Sequence, residues 1–184
     1  MKEQMELRLA GSGGMGVILA TIILAEAALK SGHSTVQSQS YGPEARGGMC
    51  KAEVIISEGQ IDCPKVTRAD FLLALTQASL NRYAAEVKPG AMLLMDDDLT
   101  PPENFDGKVV RLPILKTARD VLKKPMTVNI VTLGAMNALL HLFEDEALEE
   151  AMLAHVPKGT EDLNRTALQC GRDLVARQSA AMAG

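Results

Sequence analysis

With 184 residues, 47% of them hydrophobic and 23% charged, the chain can bury one substantial core and is too short for two ordinary domains, so residues 1–184 read as a single domain. A net charge of −4, with lysines and arginines scattered along the chain, excludes the basic stripe that neutralises nucleic-acid phosphates. The opening segment lacks the basic and then apolar regions of a secretory signal, and the apolar run at 17–29 is broken by Thr21 and Glu26, so a cytoplasmic protein with neither nucleic acid nor membrane as partner is expected.

Residues 5–10 alternate apolar and charged side chains, the period of a strand with one buried face, and run into Gly11-Ser12-Gly13-Gly14-Met15-Gly16. Residues 17–30 are apolar nearly all round and close at Ser31-Gly32, which predicts a helix buried on most of its surface. Residues 34–40 (STVQSQS) alternate small polar residues with Val36, a second strand whose polarity is odd for a central position. Residues 41–48 (YGPEARGG) hold too much glycine and proline for regular structure, while 52–57 form a β-branched run ahead of the turn at Glu58-Gly59. The alternation continues with a strand at 70–75, a helix at 77–87, a strand at 92–95 ahead of Asp96-Asp97-Asp98, and a strand at 109–112. Beyond Pro113 the pattern predicts helices at 114–123, 128–143, 146–155 and 161–179. Strands separated by helices, followed by a helical C-terminal third, give an α/β three-layer sandwich whose mostly parallel sheet carries helices on both faces.

Two of these helices carry further expectations. The 128–143 segment has few polar positions, chiefly Asn129, Thr132 and Asn137, which points to burial against another chain and to self-association of the isolated protein. In 161–179, Leu163, Ala167, Cys170 and Leu174 make a narrow apolar stripe, the pattern of an amphipathic surface helix. Cys50, Cys63 and Cys170 are odd in number and far apart, so they read as reduced thiols, with Cys170 in a core, and not as a disulfide framework, a zinc site or an iron–sulfur cradle. His33, His141 and His155 show no ligand spacing and are expected on the surface or at helix ends.

Gly11, Gly13 and Gly16 fit G-x-G-x-x-G between a predicted strand and a predicted helix, with Gly14 inside the turn. Glycine permits the tight turn and the close approach of backbone to ligand, and the N–H groups and dipole at the helix start favour an anion. A dinucleotide site also needs an acid about 20 residues further on for the ribose, and the STVQSQS stretch offers none. The turn therefore binds some other phosphate or carboxylate, or only lets the helix pack closely on the sheet. The second loop, Ser38-Gln39-Ser40-Tyr41-Gly42-Pro43-Glu44-Ala45-Arg46-Gly47-Gly48, gathers an aromatic ring, a carboxylate and a guanidinium. Arg46 can offer a planar fork to an anion with Glu44 orienting it, or the two can form an ion pair that only shapes the loop.

The pairing of G-S-G-G-M-G-V with S-Q-S-Y-G-P-E-A-R-G-G, then A-E-V-I-I-S and later N-I-V-T-L-G-A-M-N-A-L-L, resembles the gamma subunit of 2-oxoacid:ferredoxin oxidoreductases. The likeness is nearest to the 2-oxoglutarate enzymes, with those for pyruvate, branched-chain oxoacids and indolepyruvate as relatives. The resemblance implies a non-redox subunit of an enzyme that decarboxylates a 2-oxoacid oxidatively, using thiamine diphosphate with Mg, coenzyme A as acyl acceptor, and iron–sulfur clusters that pass electrons to ferredoxin. The chain lacks a thiamine-binding G-D-G run and clustered cysteines, so the resemblance assigns those cofactors to thiamine-binding and iron–sulfur partner subunits. No cofactor is then held by this chain alone, and none of its residues is the nucleophile or base. What it supplies is an anion cradle built from Gly11, Gly13, Gly14, Gly16, Ser40, Tyr41, Gly42, Glu44 and Arg46. The competing reading is a freestanding nucleotide- or carboxylate-binding α/β module with no catalytic partner.

Overall fold

The computed structural model describes residues 3–41 and 48–183. Six strands form one sheet in the order β2-β3-β1-β4-β5-β6: β1 Gln4–Ser12, β2 Ser34–Tyr41, β3 Met49–Ser57, β4 Ala69–Ala74, β5 Val87–Asp96 and β6 Gly107–Leu112. Strand β3 runs antiparallel to both β1 and β2, while β1, β4, β5 and β6 pair in parallel, so β3 alone opposes the common direction. That is the expected mostly parallel sheet, with one reversed strand inserted beside β1. The polarity of β2 finds its reason here, since this strand lies at the edge of the sheet.

The helices are α1 Val17–Lys30, α2 Gln77–Tyr83, α3 Ile114–Lys116 continuing as a π-helical turn Thr117–Val121, α4 Val128–Leu140, α5 Asp145–His155 and α6 Glu161–Ala183. Helix α1 closes as predicted: Gly32 takes a φ of 81°, Gly32 N–H donates to Leu29 O and His33 N–H to Ala28 O, the paired bonds of a glycine stop signal. Helix α2 is shorter than the expected 77–87 because β5 already begins at Val87. Its start is fixed by Thr76, whose side chain accepts from Ser79 N–H while the Ser79 side chain accepts from Thr76 N–H.

Side chains alternate between the two faces of the sheet. Leu7, Leu9, Val54, Ile56, Phe71, Leu73 and Leu94 join α1, α4, α5 and α6 in one large apolar cluster. The opposite face holds a smaller cluster of Leu72, Ala74, Leu93 and Met95 with Leu80 of α2. Helices cover both faces, very unequally.

On the thinly covered face, the alternation of β1 places Arg8, with only 1% of its surface exposed. Its Nε donates to Glu53 Oε1 at 2.7 Å, Nη1 to Glu86 Oε2 at 2.9 Å and Nη2 to Val66 O at 3.1 Å, and the guanidinium lies 5.3 Å from the Tyr83 ring centroid. A buried cation is tolerated only when it is paired and hydrogen-bonded in this way. The sequence pattern showed a charged position here and gave no sign that it was interior.

Helix α4 departs from expectation. Its residues from Val128 to Asn137 are all buried, and what buries them is this chain's own α6 and the core cluster, so its apolar surface needs no other chain. The approach to α6 is backbone to backbone: a Cβ on Gly134 would lie 2.0 Å from Leu168 O, and one on Gly171 2.0 Å from Val131 O. The buried stripe of α6 consequently runs through Asn164, Ala167, Leu168, Gly171 and Val175, rotated from the expected line, which leaves Leu163, Cys170 and Leu174 half-buried. Cys170 is thus a correction: the interior thiol is Cys50, Cys63 is exposed, and all three are free. His141 follows α4 and His155 ends α5, as expected of helix-end residues.

Gly134→Ala and Gly171→Ala should each destabilise the chain by about 1–3 kcal/mol or more, since the added methyl meets backbone that cannot rotate away. Thermal unfolding followed by circular dichroism measures this. Burial also pushes the Cys50 thiol above its usual range, so iodoacetamide near neutral pH should label Cys63 in the native chain and Cys50 only after denaturation, read by mass spectrometry.

Candidate functional site

The strand order reverses between β1 and β4: after β1 the chain turns through α1 to β2 at one edge, and after β4 it turns through α2 toward β6 at the other. In open α/β sheets, the crevice beyond the carboxyl ends of the strands at such a reversal is where ligands bind. The residues leaving β1 there are the glycine turn.

Within that turn the glycines do different jobs. Gly11 is still in β1, where a Cβ would lie 3.1 Å from Met15 Sδ. Gly13 and Gly14 are exposed, and Gly14 has a φ of 93° with open space where its Cβ would be. Gly16 precedes α1 with a φ of 70°, and a Cβ there would lie 2.7 Å from Asn129 Nδ2 of α4. Gly11 and Gly16 therefore serve packing, while Gly14 presents bare backbone outward. Gly13 N–H donates to Gly48 O and Met15 N–H to Ser12 O, so these two donors are engaged within the protein. Helix α1 starts with no side-chain cap and no acidic residue in its first turn, which leaves its positive end open to an anion.

The flanks of the second loop lie beside the turn. Tyr41 pairs with Cys50 and Cys50 with Gly11, so the end of β2, the start of β3 and the end of β1 lie level across three strands. Ser40, exposed, lies one step back, level with Lys51 and Ala10. With Gly13 bonded to Gly48, both flanks of the loop are anchored beside the glycine turn. Gly42, Glu44 and Arg46 lie outside the described residues.

Across from the turn stand residues that sequence reasoning did not select. A cleft of about 410 Å³ lies between Gly13, Gly14 and Met15 on one wall and Leu115, Arg119 and Met126 on the other. Arg119 is exposed and doubly bonded to the neighbouring Asp120. Asn129 is 5% exposed, and its Oδ1 has no hydrogen-bond partner among the described residues. The signal for Asn129 was present as a polar residue at the start of an apolar helix, but only the packing shows that it faces Gly16.

Asp96 is fully buried at the end of β5, accepting Leu115 N–H at 2.8 Å and Asp98 N–H at 3.3 Å. Burial pushes its carboxyl above the usual aspartate range, with the like charges of Asp97 and Asp98 acting the same way against the two backbone bonds. Its oxygens hold the start of α3 in place, a structural task. Among the described residues, no helix is long and apolar enough to cross a membrane.

The family model for pyruvate ferredoxin/flavodoxin oxidoreductase matches residues 6–174. The 2-oxoglutarate synthase subunit KorC of Methanocaldococcus jannaschii is 42% identical over 95% of this chain and 95% of its own length. The ketoisovalerate oxidoreductase subunit VorA of Methanothermobacter thermautotrophicus is 36% identical over 81% of this chain but only 31% of its own length. Among solved structures, the keto/oxoacid ferredoxin oxidoreductase gamma subunit of Geobacter sulfurreducens superposes with a TM-score of 0.84 at 44% identity, covering 94% of this chain and 99% of that one.

Gly16→Ala should unfold the chain at lower temperature by meeting both Asn129 and a left-handed backbone, a loss of roughly 2–4 kcal/mol. Asp96 binds its proton more tightly folded than unfolded, so its contribution to stability is complete below the ordinary aspartate pKa and is lost as pH rises through the raised folded value. A carboxyl-detected NMR titration should place Asp96 above the exposed aspartates.

Proposed function

The chain belongs to the pyruvate ferredoxin/flavodoxin oxidoreductase family and is a subunit of a 2-oxoacid:ferredoxin oxidoreductase, and we propose that within that enzyme it walls the site where 2-oxoglutarate is converted to its acyl-CoA. The observation that carries this reading is the exposed glycine turn at the strand-order reversal, with the flanks of the second loop anchored beside it. The choice of 2-oxoglutarate rests on identity, since KorC is 42% identical over 95% of its length while VorA is 36% identical over 31% of its own.

The site fits an anion. Bare backbone at Gly14 and the uncapped start of α1 can receive a phosphate or carboxylate such as the anionic groups of coenzyme A. Gly14 and Ser40 are assigned to the approach, and Tyr41, Gly42, Glu44 and Arg46 to the same anion site on the strength of the family motif. When bound, coenzyme A supplies the thiol that accepts the acyl group. This chain's residues bind and orient the anionic end, exclude water and leave the electron transfer to other groups. Thiamine diphosphate with Mg and the iron–sulfur clusters are held by partner subunits, through which ferredoxin is reached. A location in the cytoplasm accords with this role.

The purified chain should be colourless and should not reduce ferredoxin with any 2-oxoacid until the thiamine-binding and iron–sulfur subunits are added. A brown isolated chain would overturn the assignment of clusters to partners. In the assembled enzyme, Gly14→Ala and Arg46→Ala should each lower turnover, or raise the KM for coenzyme A or 2-oxoglutarate, by about tenfold or more. The Gly14→Ala methyl meets open space in the free chain, so its effect on folding should stay near the ~1–2 kcal/mol of left-handed strain. Arg46→Lys should rescue poorly, since an ammonium keeps the charge and loses the planar fork. Normal turnover by both variants would remove the turn and loop from the site.

A further inference from the structure

Strand β2 ends the sheet, so one side of its backbone has no neighbouring strand among the described residues. Edge strands are ordinarily protected from pairing by charged side chains, proline or a bulge. The sequence STVQSQSY has no charge and no proline, and its register with β3 runs without a break from Ser34↔Ser57 to Tyr41↔Cys50.

A second feature adjoins this edge. At about 100° per residue, Ile18, Ile22, Ala25 and Leu29 fall in one line along α1. None is fully buried, and Leu29 is 62% exposed. The other flank of α1 is occupied by α5, to which Glu26 and Lys30 are tied through His155 and Glu150. The apolar line lies on the flank away from α5, the side on which Thr21 accepts a hydrogen bond from Gln37 of β2 at 3.0 Å. Together they make an uncharged surface of open backbone beside half-buried hydrocarbon, with Leu29 as its exposed end.

We infer that this surface is a two-fold interface between two copies of the chain, with β2 pairing antiparallel to β2 of the second copy and α1 packing on α1. The open backbone calls for a strand, and the absence of charge calls for a partner equally uncharged. This chain's own β2 and α1 meet both conditions. With the axis at Gln37, that residue faces its own copy, Val36 faces Ser38, Thr35 faces Gln39 and Ser34 faces Ser40. Every pair is uncharged, and residues on the α1 face meet residues on the α1 face. Strand pairing alone would make a small contact, and the α1 line enlarges it toward the roughly 800 Å² per partner of a stable interface.

Sedimentation velocity of the full chain across the micromolar range should show a dimer. Leu29→Lys, and Gln37→Lys, which sets two ammonium groups at the axis, should each raise the dissociation constant roughly tenfold or more while leaving the melting temperature within a few degrees. Gln37→Cys in a Cys63→Ser background should form a disulfide-linked dimer on mild oxidation, because residues facing each other across an antiparallel pair have Cα atoms about 4.5–5.5 Å apart, within disulfide reach. Ser34→Cys in the same background should link far more slowly, since it faces Ser40. A monomer throughout that range, a dimer indifferent to both lysines, or cross-linking of Gln37→Cys to a different subunit in the assembled enzyme would each overturn the inference.

Discussion

The packing of α4 against bare backbone is the constraint from which the arrangement of this molecule follows. Gly134 and Gly171 let α4 and α6 touch main chain to main chain, closer than any pair of helices carrying side chains at the contact could come. At the start of the same helix, Asn129 fills the space that a Cβ on Gly16 would need. One helix is thereby pinned to the outer helical layer along its middle and to the glycine turn at its beginning. The position of the turn is set by the core, and interiors packed at this density pass small displacements on instead of absorbing them.

The other face of the sheet is stabilised differently. Four helices bury the first face under hydrocarbon, while the second relies on α2, on loops and on the paired charges around Arg8. That guanidinium joins β1, β3, the segment at Val66 and the turn before β5 through oriented hydrogen bonds. Such a network adds little net free energy over a hydrophobic replacement, but removing one member leaves a buried charge unpaired. Its effect is to fix β1 between two neighbours of opposite direction, and β1 delivers the glycine turn to the strand-order reversal.

The site so positioned is one wall of a cleft. The chain contributes bare backbone, the positive start of α1 and a loop anchored at Tyr41 and Gly48. Groups of this kind suit an anion, which is the basis of the proposed role. The chain folds around its own core, with α4 buried by its own α6, so the glycine turn is held in place without any other chain.

By itself the sequence determined the order and type of the elements, the mostly parallel sheet and the glycine turn between β1 and α1, because local periodicity and turn chemistry act over a few residues and are written in them. It also determined the pairing of the turn with the Tyr41 loop, through a motif specific enough to identify the family. It did not determine which glycine does what. Gly11, Gly14 and Gly16 look alike in a motif, and only the neighbours of an absent Cβ, Met15, open space and Asn129 respectively, separate packing from exposure. The polarity of β2, the interior place of Arg8, the burial of Cys50 in place of Cys170 and the covering of α4 by α6 were likewise decided by the tertiary structure. Each depends on which segments meet across tens of residues of chain, and a periodic pattern records that a face is covered without recording what covers it.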